Sequence, residues 1–326
     1  MYATTLQVVG NVAGVRQSTC VSSDSNISTD FATIRDLTID GNWAQLSTTA
    51  DAGVGGEKNI KVNAISIWGS NNLVQRVRSI NTYGSWANQR EQFVISLGSP
   101  RSADGTNDVI QDCRVELPYG NYGAPFALAG WLNSAPYHLI TNSKVVSCTA
   151  VGVNDGLAHG FTSGGVNLAN VKDCQIDGNT FVDCYGAAYT DTGSVEGIQI
   201  TNNTVIRGWL GVGMCSHVFA KNNIQITGNN ISVQNRNNGA NDGILVDYSA
   251  TSNLTVSNNT ITFDTSGLGS TQFLGITVYF QNTATISNNT IGETPSGVAN
   301  IASGSGLTMF NNRTPDGTLI PALNNQ

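Results

Sequence analysis

Apolar and polar residues alternate along this chain in short runs, and the runs recur. Ile198-Gln-Ile200 and Leu254-Thr-Val256 place apolar side chains at every second position, the period of a strand with one buried face. The apolar positions are mostly β-branched, and Asn or Gly ends each run before it could reach the ten residues or more that a helix needs. The pattern predicts an all-β chain of many short strands.

One unit is written four times: ITNNTV from Ile200, ITGNNI from Ile226, VSNNTI from Val256 and ISNNTI from Ile286. Weaker copies start at Ile34, Val74, Ile110, Ile140, Ile176 and Met309, with spacings from 23 (286 to 309) to 40 (34 to 74). A floor in the low twenties with a variable excess is the mark of a solenoid, a fixed turn plus loops of differing length. A second strand-like run follows from Gly211, Gly243 and Gly275. Turns of two or three short strands stacked side by side make a parallel β-helix. We expect about ten coils over residues 34–312, a cap region over 1–33 and a tail over 313–326, where Pro315 and Pro321 discourage further pairing. Asn179, Asn203, Asn229, Asn259, Asn289 and Asn312 share one place in the repeat. Asn tolerates the left-handed backbone of a sharp corner, and stacked amides can bond from coil to coil as a ladder. In the earlier coils Leu37, Val77, Cys113 and Ser143 hold the place, so the ladder is expected to fail there.

Composition narrows the partners. Only 11% of residues are charged and the net charge is -7, without the basic face that nucleic-acid binding needs. No apolar run approaches a membrane span, so no membrane insertion is expected. The N-terminus lacks a basic stretch followed by an apolar core, which points to a removed signal or to another export route, such as release on a virus particle. The six cysteines form no CxxC pair. Most read as small buried residues, and Cys148 with Cys184 is a candidate disulfide.

The stretches IRDLTIDGN (Ile34 to Asn42) and VKDCQIDGNTF (Val171 to Phe181), with the four units above, resemble the right-handed parallel β-helix repeat of the pectin-lyase-like superfamily from about Thr33 to Asn312. The resemblance implies that fold, together with a range of activities: polysaccharide lyases, glycosidases, epimerases and phage tailspikes. It also implies an extracellular or virion-surface protein, a monomer or, as a tailspike, a homotrimer. No cofactor is expected, except calcium for a lyase, and no metal ligands are assigned.

A β-helix packs its interior, so a site must use outward side chains. In GVGMCSH and GILVDYS, alternation turns Val212, Met214, Ile244 and Val246 inward and Gly213, Cys215, His217, Leu245 and Asp247 outward. Asp155, Asp191, His217 and Asp247 then fall on successive coils as catalytic candidates. Carboxylates one or two coils apart would stand roughly 5 to 10 Å apart, a bracket that suits glycoside hydrolysis by an acid and a base or nucleophile. His159, Glu196 and Lys221 are expected to contact substrate. Trp86, Trp131 and Tyr122 supply flat rings for sugar faces. The arrangement is similar to that of the polygalacturonase-like hydrolases, although their paired aspartates, Gly-His-Gly and Arg-x-Lys are missing. A lyase would draw on Arg207, His217, Lys221 or Tyr248. The expectation is a polysaccharide-binding glycoside hydrolase, with a lyase or epimerase, or a non-catalytic tailspike, adhesin or surface protein, as alternatives.

Overall fold

The computed structural model describes residues 4–7, 17–42, 61–84, 92–116, 123–131, 137–152, 165–190, 192–215, 219–234, 241–247, 250–264, 273–279, 283–293, 301–303, 306–321 and 323–324. Their strands form two sheets, one of 22 strands and one of 11, and every strand-to-strand ladder is parallel. Strands run round the coil and pair with the coil above and below, which gives a right-handed parallel β-helix.

The interior is built from columns of apolar residues. On the second sheet Ile65, Ile95, Phe126, Val166, Ala188, Val212, Ile244 and Ile276 pair in sequence from coil to coil, and all are fully buried. On the first sheet the column runs Ile34, Val74, Ile110, Val145, Ile176, Ile200, Ile226, Val256, Ile286, Met309. The expected member Ile140 is replaced by Val145. Ile140 instead pairs with Gly105 and Val171 in a short strand ahead of the corner. The true copy, VVSCTA, carries Cys148 where the template has Asn, and that disguised it.

The Asn ladder is present. Each side-chain amide donates to the next Oδ1 at 2.8–3.0 Å, from Asn179 through Asn203, Asn229, Asn259 and Asn289 to Asn312. The second amide hydrogen goes to a main-chain carbonyl, as from Asn203 to Ile176. The left-handed residue, however, is the one before the ladder: Gly178, Asn202, Gly228, Asn258, Asn288 and Asn311 have φ between 54° and 70°. The doubled Asn of NNT thus divides two tasks, one residue turning the corner and the next tying the coils. The earlier rungs are Leu37, Val77, Cys113 and Cys148, since Arg114 pairs with both Arg78 and Thr149. Ser143 belongs to a different ladder, in which Asn72 N–H donates to Asp108 Oδ1 (2.8 Å) and Asp108 N–H to Ser143 Oγ (2.9 Å).

The six cysteines are free thiols. Cys148 and Cys184 cannot bridge, because the partner of Thr149 is Thr180, and Cys184 lies four residues further round the coil. Each donates to a carbonyl two residues back instead. Thr4–Gln7 and Gln17–Ser22, ahead of the first expected coil, are strands paired with both sheets. In the tail, a Thr314–Thr318 turn and an antiparallel Arg313–Leu319 bridge fold back on the last coil.

Candidate functional site

Among the sequence-derived candidates, Asp155, His159, Asp191, His217, Trp86, Tyr122 and Tyr248 lie outside the described residues. Asp247, Glu196, Lys221 and Trp131 are described; the structure brings Lys221 and Asp247 together and places Glu196 and Trp131 elsewhere. Glu196 is on the first sheet in an exposed pair with Lys172 at 3.3 Å. Trp131 is buried, with the Arg101 guanidinium 4.3 Å over its ring and Trp68 edge-on at 6.4 Å. It fastens a turn to the coil and offers no face to a sugar. Lys221 is only 1% exposed. Its strand enters the first sheet inward-facing, in the column Ile140, Val171, Val195, Lys221, Thr251. It therefore does not reach substrate from the surface.

Asp247 is where the chain leaves the second-sheet strand Asn241–Val246, and it is partly exposed. Ile244 and Val246 face in, as alternation requires, and Leu245 and Asp247 face out; Cys215, also expected outside, is buried. Asp247 N–H donates to Met214 O (3.1 Å), and its own carbonyl accepts from Lys221 Nζ at 3.0 Å.

The other end of this strand carries a residue missed in the sequence. Asp242 is buried and accepts from Thr277 Oγ1 at 3.1 Å. Burial pushes its carboxyl up to about 7; the Thr277 hydrogen bond works against that and the nearby negative Asp247 adds to it. Near neutral pH Asp242 is therefore partly protonated, at the other end of the strand from Asp247. One signal was available: the tripeptide Asn-Asp-Gly that drew attention to Asp155 recurs at 241–243. Lys221 is pulled down to about 8 by burial, against the attraction of Cys215 and Asp247.

An aromatic platform adjoins these acids. Outward positions on the second sheet pair in the order Tyr189, Gly213, Leu245, Thr277. The Tyr189 ring lies across Gly213, where an added Cβ would come within 2.7 Å of it. Tyr185 packs against Tyr189 at 5.3 Å and against Trp209 at 5.5 Å between ring centroids. A groove of about 550 Å³ opens on the first sheet between Asn107, Asn142, Lys144, Asp173, Gln175 and Gln199. It is a by-product of the left-handed corner and has neither an aromatic wall nor a buried acid, so the chemistry is better placed on the second sheet.

The fold is shared with solved structures. PfbA, a surface adhesin of Streptococcus pneumoniae, superposes with a TM-score of 0.50 at 12% identity, over 95% of this chain and 74% of that one. The A-module of the mannuronan C-5 epimerase AlgE6 from Azotobacter vinelandii gives 0.49 at 15% identity, over 95% and 80%. A sequence search of curated proteins finds no match. The profile of the family described as "Periplasmic copper-binding protein (NosD)" matches residues 131–315, more than half of the chain, and the chain belongs to that family.

Proposed function

We propose that the chain binds a polysaccharide across the outer face of the second sheet and hydrolyses it with Asp242 as proton donor and Asp247 as the second carboxyl group. The observation that carries this reading is the buried Asp242, its carboxyl pushed up to about 7, on the same stretch as Asp247 and two coils from Tyr189, whose ring reaches over Gly213 on the coil between. An acid held near the working pH beside an ionised carboxylate is what glycoside hydrolysis asks of two side chains. Flat rings suit the CH faces of sugars. Of the lyase candidates, Arg207 is tied to Asp183 by two hydrogen bonds of 2.8 and 2.7 Å and Lys221 is buried, which favours hydrolysis over elimination through either of these two. The periplasmic setting in the family's description supports a place outside the cytoplasm.

Copper, which the family's description names, does not fit the described donors. No three of His, Cys, Asp and Glu converge among the described residues. The thiols of Cys113, Cys148, Cys174 and Cys184 are inside the coil and already donate to main-chain carbonyls.

The test is a panel of neutral and acidic polysaccharides incubated with the protein. New reducing ends without an ultraviolet-absorbing unsaturated product are expected, with activity falling as pH rises through about 7 and Asp242 loses its proton. Asp242→Asn and Asp247→Asn should each lower the rate by about 100-fold or more. No product from any glycan, or full activity in both variants, refutes the proposal.

A further inference from the structure

We infer that Lys221 is a positioning residue for Asp247: from inside the coil it fixes the main chain that aims the Asp247 carboxylate. The inference rests on the role proposed for Asp247.

The position is anomalous for a lysine. Its column neighbours Ile140, Val171, Val195 and Thr251 are all at most 1% exposed, as Lys221 itself is. A methionine or leucine would fill the same space without bringing an ammonium group out of water. A residue that breaks the local rule is expected where function requires it. Here the ammonium group has a definite task. Lys221 Nζ donates to Asp247 O at 3.0 Å from the interior, while Asp247 N–H is held at 3.1 Å by Met214 O of the preceding coil. On the following coil, Tyr279 N–H binds Val246 O at 2.9 Å. Both main-chain groups of Asp247 are thus fixed at the point where the chain turns off the sheet, and the direction of its side chain follows. Among the described residues, Asp247 and Cys215 lie in electrostatic reach of the ammonium.

Three variants separate the parts. Lys221→Met fills the column without charge or donor, Lys221→Gln keeps a donor without charge, and Lys221→Arg keeps the charge. Thermal unfolding, the main-chain carbonyl carbon-13 shift of Asp247 (assigned with Asp247→Asn), and kcat and KM on the glycan cleaved by the wild type are measured for each. Lys221→Met is expected to fold with an unchanged or higher Tm, to move the Asp247 carbonyl shift as its hydrogen bond is lost, and to lower kcat by about 10-fold with little change in KM. Lys221→Gln and Lys221→Arg, which keep a donor, should restore part of both. An Asp247 carbonyl shift unmoved in Lys221→Met, a kcat equal to the wild type, or a Lys221→Met protein that does not fold overturns the inference. If the wild type cleaves no glycan, the proposed function fails, and the carbonyl shift still decides whether Lys221 acts on Asp247.

Discussion

Replacing Asp108 by asparagine should stabilise the protein at neutral pH and hardly at all in acid. Asp108 is a rung of the ladder Asn72, Asp108, Ser143, where an asparagine would be the natural choice. Its Oδ1 accepts the Asn72 N–H at 2.8 Å, its own N–H donates to Ser143 Oγ at 2.9 Å, and Oδ2 is buried without a hydrogen-bond partner. Burial is the main reason that its carboxyl is pushed up from 3.8 to about 7, with the Asn72 hydrogen bonds opposing. The folded state thus holds the proton more tightly than the unfolded state. The stability this contributes is fully present below about pH 4 and is lost as pH rises through about 7. At about 1.4 kcal/mol per pH unit, a shift of about three units corresponds to about 4 kcal/mol at most. Asp108→Asn removes the titration and places an amide where the lone Oδ2 stands. Urea unfolding of both proteins at intervals from about pH 3.5 to about pH 8 should show nearly equal stability at the acid end and a gap that widens to a few kcal/mol above about pH 7. Asp242 titrates over the same range but is common to both proteins and cancels in the difference. A gap that stays constant with pH would refute the reasoning, because it would mean that Asp108 does not change its charge in the folded state.

Asn229→Ala removes the acceptor of Asn203 and the donor to Ile200 O and Asn259 Oδ1 in a fully buried corner. A loss of about 3 to 5 kcal/mol in urea unfolding is expected, against about 0.5 kcal/mol or less for exposed Asn230→Ala. Gly213→Ala would set a Cβ 2.7 Å from the Tyr189 ring and 2.5 Å from Leu210. The ring must turn, so glycan affinity in a titration should fall by about 10-fold while the Tm drops by only a few degrees.

The fold was legible because a solenoid writes its constraint once per coil. Every rung must present an apolar side chain inward and turn a corner at the same place, so Ile200, Ile226, Val256 and Ile286 fall into one column and their Asn neighbours into another. What the letters could not assign was the task of each Asn. In Asn202-Asn203 both residues suit a left-handed corner, and only the coordinates show that Asn202 takes φ 54° while Asn203 makes the ladder. The register slip at Ile140 has the same origin. An apolar residue three places before a polar one fits the template, yet the rung there is Cys148, a small residue that packs into the column without announcing itself.

The site was less legible because a site depends on where alternation fails. Asp247 was placed outward correctly, since the run from Ile244 to Asp247 keeps the two-residue period. Asp242 shares the parity of Ile244, and strict alternation would have sent it into the core. At Gly243 the period breaks: an added Cβ there would meet Ile261 inside the coil at 2.5 Å, so two consecutive residues, Gly243 and Ile244, face inward. Asp242 is thereby released to reach Thr277, whose position pairs with outward Leu245. Lys221 is the converse, a polar residue that keeps its parity and is buried by it. A lysine inside and an acid displaced by one glycine both cost stability, as buried Asp108 does elsewhere in the coil. What sets the first two apart is that both lie on described strands next to Asp247, and that is the reason to look for chemistry there.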